Sequence, residues 1–126
     1  MNLLDSAAFY WVLTNPSKLG SDTRHRFTSG QTLLVSSITI LELNIKQLKG
    51  KLPKLDFVAG ALEANIRLID LDTKSAADIG EFPELEGHDP FDRALVAQAY
   101  AGGYNFFTSD RKLLGLGRSW IHDIGD

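Results

Sequence analysis

Thr32-Leu33-Leu34-Val35-Ser36-Ser37-Ile38-Thr39-Ile40-Leu41-Glu42-Leu43-Asn44-Ile45-Lys46-Gln47-Leu48-Lys49-Gly50 changes its hydrophobic rhythm partway along. Residues 32–36 form a β-branched and apolar run of strand length. From there Ile38, Leu41, Ile45 and Leu48 recur at helical spacing, Ser36 or Ser37 can cap the helix, and Lys49-Gly50 supplies a stop. A strand therefore feeds a helix, and the same alternation runs through the rest of the chain.

Upstream, Asn2-Leu3-Leu4-Asp5 reads as a short buried strand that ends on an acid, and residues 7–13 as an apolar helix. Asn15-Pro16 marks a break, and residues 21–29 form a polar helix closed by Gly30. Downstream of Pro53, the spacing of Leu55, Val58, Ala59 and Leu62 predicts a second helix, followed by a strand over residues 67–71. Thr73 can cap a short helix through Ile79, and Gly80, Pro83 and Gly87 make residues 80–88 the best loop candidate. Asp89-Pro90 then starts a helix through Phe91, Leu95 and Ala99 that Gly102-Gly103 ends. Residues 104–108 read as a strand with Ser109-Asp110 at its exit, and a last short strand is expected near Trp120-Ile121. Strands alternating with helices imply a three-layer α/β/α domain, its mainly parallel sheet having four or five strands and both faces covered.

At 126 residues, with 44% hydrophobic and 23% charged side chains, one core and a single domain over residues 1–126 are expected. Cysteine is absent, which excludes disulfides and thiolate zinc sites and fits an intracellular protein. The longest apolar run is too short to span a bilayer, so a cytoplasmic protein with no membrane association is expected. The formal charge of −3 is unlike that of most nucleic-acid binders, although cations loaded into an acidic pocket reverse the local field.

Open parallel sheets bind ligands beyond the carboxyl ends of their strands. Asp5 and Asp110 fall there, and Asp92 sits in the first turn of a helix whose start should face the same edge. Glu42, at ~100° per residue, lies beside the stripe of Ile38, Leu41 and Ile45, where a carboxylate needs a partner. Each acid also has a plain alternative. Thr39 and Glu42 match a capping box, Asp5 can end a strand and cap a helix, Asp92 can complement a helix dipole, and Asp110 can belong to a turn with Ser109. Joint placement of the four raises them above these. Acids without His or Cys suit Mg²⁺ or Mn²⁺, whose natural use is phosphodiester chemistry through an activated water and a neutralised phosphate. His25, His88 and His122 are expected on the surface or in packing, none of them placed as a base.

Four segments together resemble a known family. Leu3-Leu4-Asp5-Ser6, the run from Val35 to Lys46 around Glu42, His88-Asp89-Pro90-Phe91-Asp92-Arg93 and Thr108-Ser109-Asp110-Arg111-Lys112-Leu113-Leu114 are similar, in order, to the motifs of PIN domains, most closely the VapC-type toxins of bacterial toxin–antitoxin pairs. The Asp-Pro-Phe-Asp-Arg run is the most specific of them. The resemblance implies a Rossmann-like sheet, Mg²⁺ or Mn²⁺ held by Asp5, Glu42, Asp92 and Asp110 as metal-binding and catalytic residues, and hydrolysis of RNA. Ser6, Asp89 and Thr108 are then candidates for holding those acids in place. Ala7 departs from the subgroup, which often has a polar residue there, and residues 70–87 carry no motif.

Lys46, Lys49, Lys51 and Lys54 fall within nine residues that contain no acid, and Arg93, Arg111 and Lys112 flank proposed ligands, so these seven are candidates for contacting RNA. Solvation of a helix end is the plainer reading of any single lysine. By the resemblance, a cognate antitoxin should pack an apolar segment in a groove and place a basic side chain in the acidic site. Phe9, Tyr10 and Trp11 can serve that groove or a homodimer interface, with at least two of the three expected in the core. One alternative is a catalytically weak PIN-like module that binds RNA or protein. A phosphatase of the haloacid dehalogenase kind would need an acid where Ala7 stands.

Overall fold

In the computed structural model, which describes residues 1–126, five short strands lie in the order β3-β2-β1-β4-β5. They are β1 (Asn2–Leu4), β2 (Leu33–Ser36), β3 (Arg67–Ile69), β4 (Asn105–Thr108) and β5 (Ile121–Asp123). Strand β1 is central, with Leu3 opposite Leu34 of β2 on one side and Phe106 of β4 on the other. All four pairings are parallel, so every connection must recross the sheet. Helices make the crossings: α1 (Ser6–Thr14), α2 (Ser21–Phe27), α3 (Ser37–Leu48), α4 (Phe57–Glu63), α5 (Thr73–Ala77), α6 (Pro90–Gly102) and α7 (Arg111–Leu114).

Successive strand residues point to opposite faces, and that alternation divides the core in two. Leu3, Leu34 and Phe106 pack with Leu95, Val96 and Ala99 of α6 and Leu113 of α7. Leu4, Val35 and Phe107 pack on the other face with Ala8 and Phe9 of α1, Leu43 of α3, and Phe57 and Ala61 of α4. The product is helix on sheet on helix, with the inner strands β1, β2 and β4 largely buried on both faces and the edge strands β3 and β5 partly open to solvent. Helix α6 begins and ends as its sequence dictates. Asp89 accepts from the Phe91 and Asp92 N–H groups at 2.8 and 3.1 Å, a cap that contributes about 1 kcal/mol. Gly103 leaves the helix at φ +69°, in the left-handed region where glycine is favoured.

Four local expectations change. Within α3, Ile38 and Leu43 are buried, whereas Leu41 and Leu48 are 54% and 85% exposed. Apolar residues occur on nearly every side of that helix, so their period identifies a helix without saying which side meets the sheet. The same holds for α4, where Phe57 and Ala61 face inward and Val58 and Leu62 remain exposed, as does Leu55 just before the helix. Helix α5 is capped by Asp72, which accepts from the Ser75 N–H at 3.0 Å, and not by Thr73. The expected loop over residues 80–88 is packed structure: two 3₁₀ turns, Asp78–Glu81 and Pro83–Leu85, seat Phe82 and Leu85 in the core. No helix is long and apolar enough to cross a membrane.

Candidate metal centre

The strand order reverses beside β1, with β2 and β3 to one side and β4 and β5 to the other, and parallel sheets bind ligands at such a point. A cleft of about 360 Å³ opens there, lined by Asp5, Ser6, Glu42, Lys46, Asp92 and Asp110 among others.

Asp5 follows the last residue of β1. Its N–H still donates to the Phe107 carbonyl at 3.0 Å, and its Oδ1 accepts from the Ala8 N–H at 2.8 Å, capping α1. The plain reading of Asp5 as a cap and its placement in the cleft are therefore both true. Burial raises its pKa from 3.8 to about 6. Hydrogen bonds from Ala8 and Thr108 oppose the rise, and the charge of Glu42 adds to it.

Glu42 is not part of a capping box. Ser36 caps α3 by accepting from the Ile38 N–H at 3.1 Å, and Thr39 is buried inside the helix. The Glu42 carboxylate instead accepts from the Ser6 hydroxyl at 2.5 Å and pairs with Lys46 Nζ at 3.0 Å. Asp92 is spared capping duty because Asp89 performs it. Its pKa is likewise raised to about 6, first by burial and then by the charges of Asp89, Glu42, Asp110 and Asp5. Asp110 divides its oxygens between two tasks. Oδ1 caps α7 through the Lys112 and Leu113 N–H groups at 2.9 and 3.1 Å, while Oδ2 turns toward the cleft. Thr108 steadies this turn, its hydroxyl accepting from the Asp110 N–H at 3.0 Å.

His88, expected on the surface or in packing, instead turns its ring into the cleft. Its Nε2 lies 3.3 Å from Asp92 Oδ2 and 3.3 Å from Asp110 Oδ2, buried, with no well-directed hydrogen bond to either. The available signal was its position four residues before Asp92, although the contact with Asp110 arises only in the fold. Ligand atoms of His88, Asp92 and Asp110 all lie within 4.8 Å of one another. Crowded oxygen donors whose mutual repulsion raises a pKa, beside an unpartnered buried nitrogen, fit a divalent cation.

Of the seven basic candidates, Lys46 alone lines the cleft. Lys49, Lys51, Lys54 and Lys112 are exposed elsewhere, and Arg111 reaches Asp123 at 3.2 Å. Arg93 is half-buried, its Nε without a partner. His25 is exposed, and His122 stacks on Phe107 with ring centres 5.0 Å apart, which is a packing role. Of the three aromatic residues only Phe9 is fully buried. Tyr10 and Trp11 are half-buried, meet edge to face at 5.4 Å and line the cleft beside Ala7.

Four likenesses bear on this arrangement. The PIN domain profile matches residues 3–118. Ribonuclease VapC22 of Mycobacterium tuberculosis (strain ATCC 25618 / H37Rv) is 27% identical over 115 residues, covering 88% of each chain. Among solved structures, VapBC2 from Rickettsia felis bound to a promoter DNA fragment superposes with a TM-score of 0.71 at 16% identity, covering 97% of each chain. A toxin–antitoxin complex from Klebsiella pneumoniae gives 0.65 at 11%, covering 97% of this chain and 96% of that one. At those identities the structural likeness is one of fold.

Proposed function

This chain belongs to the PIN-domain family, and on that footing we propose that it is a metal-dependent endoribonuclease, the toxin of a toxin–antitoxin pair. Asp5, Glu42, Asp92 and Asp110 hold Mg²⁺ or Mn²⁺ and form the catalytic set. The observation that carries the reading is the convergence of these acids from four separate segments on one cleft. The relative named a ribonuclease supports the reaction, and the complex named toxin–antitoxin supports the biological setting.

When bound, the ion would lower the pKa of a water and stabilise charge on the phosphate oxygens. This chain's residues set up that chemistry. Ser6 fixes Glu42, Thr108 fixes Asp5 and Asp110, and Asp89 frees Asp92 by taking over the cap. Lys46, paired with Glu42 at 3.0 Å in the cleft, would be free to contact a phosphate if Glu42 engaged the ion. Lys49, Lys51, Lys54, Arg93, Arg111 and Lys112 contribute a longer-range field along the RNA.

The reading is tested by incubating purified protein with labelled RNA in EDTA and after adding Mg²⁺ or Mn²⁺. Cleavage should appear only with the ion. No cleavage under any condition, with RNA still bound, would instead make the chain a binding module. Lys46→Gln should weaken RNA binding and reduce the slope of log Kd against log salt by about one. An unchanged slope would remove Lys46 from the interface.

A cognate antitoxin is the proposed protein partner. The half-buried Tyr10 and Trp11 form the apolar rim that its packing segment would cover, and the acidic cleft would accept its basic side chain. A homodimer would bury some of Leu41, Leu48, Leu55, Val58 and Leu62, whose exposure is otherwise costly. Sedimentation of the free chain as a monomer would remove the dimer from this account.

A further inference from the structure

The segment before α6 is built to hold one side chain in place. Gly87 turns the chain at φ +80°, the His88 N–H donates to the carbonyl of fully buried Leu85 at 2.9 Å, and Asp89 immediately caps α6. His88 is thus fixed on both sides. Its Nε2 points among the acids, buried and without a hydrogen-bond partner, which is uncommon for a buried polar atom and asks for an explanation.

We infer that His88 is a nitrogen ligand of the metal centre, sharing one cation with Asp92 and Asp110, and that it turns the preference of the site from Mg²⁺ toward Mn²⁺ and later first-row ions. This rests on the divalent-ion reading proposed above. Neighbouring ligands of an octahedral ion with bonds of ~2.1 Å stand ~3.0 Å apart. Nε2 stands 3.3 Å from each of the two carboxylate oxygens. A simple ion pair would explain the closeness but would direct an N–H along one contact, and neither contact has that geometry. Imidazole nitrogen is a good donor to first-row transition ions, whereas Mg²⁺ favours oxygen donors and retains water. A site of carboxylates alone would favour Mn²⁺ less strongly.

The experiment titrates the purified wild-type chain and His88→Ala with Mg²⁺ and Mn²⁺ by calorimetry, and records pulsed electron paramagnetic resonance of the bound Mn²⁺. Wild type should bind Mn²⁺ more tightly than Mg²⁺ and show an imidazole nitrogen coupling. His88→Ala should lose the coupling and most of the discrimination, with Mg²⁺ affinity little changed. The wild-type spectrum needs no variant to fold. Mn²⁺ bound without a nitrogen coupling overturns the role of His88 and leaves the carboxylate centre intact. A wild-type chain that binds neither ion overturns the metal reading itself.

Discussion

Asp92→Asn should slow divalent-dependent RNA cleavage by about 1,000-fold or more, equivalent to about 4 kcal/mol of transition-state stabilisation. The substitution keeps size and shape and removes a charge. It removes no helix cap, because the α6 N–H groups are held by Asp89. It also relieves repulsion, since the charges of Asp89, Glu42, Asp110 and Asp5 all act against ionisation of Asp92. The metal-free variant should therefore be at least as stable as wild type at neutral pH. Single-turnover cleavage and urea unfolding of the same preparation separate the two effects. A purely structural role would lower both together, and a rate within tenfold of wild type would remove Asp92 from the catalytic set.

The metal-free protein should lose stability as pH rises from about 4 to above 6, with Asp5 responsible for the largest share. Its pKa is raised in the fold, chiefly by burial, from 3.8 to about 6. For an acid shifted upward, the associated stability is fully present below the unfolded value of 3.8 and is lost as pH rises through about 6. A shift of this size corresponds to about 3 kcal/mol. Asp92 acts in the same direction by a smaller amount, because it is more exposed to solvent. A divalent ion at neutral pH should recover the loss, contributing about 2.7 kcal/mol at a hundred times its Kd. Urea unfolding at pH 5 and pH 7.5, with metal removed, checks the sign. The difference between the two pH values should shrink in Asp5→Asn, where Asn retains the cap to α1. Stability that rises over this interval in wild type, or an unaltered difference in the variant, contradicts the burial account of Asp5. The same shift implies weaker metal binding below about pH 6, where both acids take up protons.

The layered architecture was legible because its signals are local. A parallel strand buried on both faces is an uninterrupted apolar run, and Ser36, Asp89 and Gly103 mark helix ends through bonds made within a few residues. Positions of Asp5, Asp92 and Asp110 at strand exits and a helix start could be read for the same reason. The inward side of α3 and α4 could not, because Leu41 and Val58 are as apolar as Leu43 and Phe57 and only the packed neighbours choose between them. Phe82 and Leu85 did offer a cue, being three apart around Pro83 and thus on one side of a 3₁₀ turn. His88 offered less, since it meets Asp110 only when α6 and β4 come together. The density of lysines after Ile45 likewise carried no direction, and Lys46 alone turns to the cleft.

The most direct test of the central claim is a crystal of this chain soaked in Mn²⁺ and measured at a wavelength where manganese scatters anomalously. The account predicts an anomalous peak in the cleft, within bonding distance of carboxylate oxygens of Asp92 and Asp110 and facing Asp5 and Glu42. A peak found only elsewhere, or a cleft still empty at saturating Mn²⁺, would contradict it.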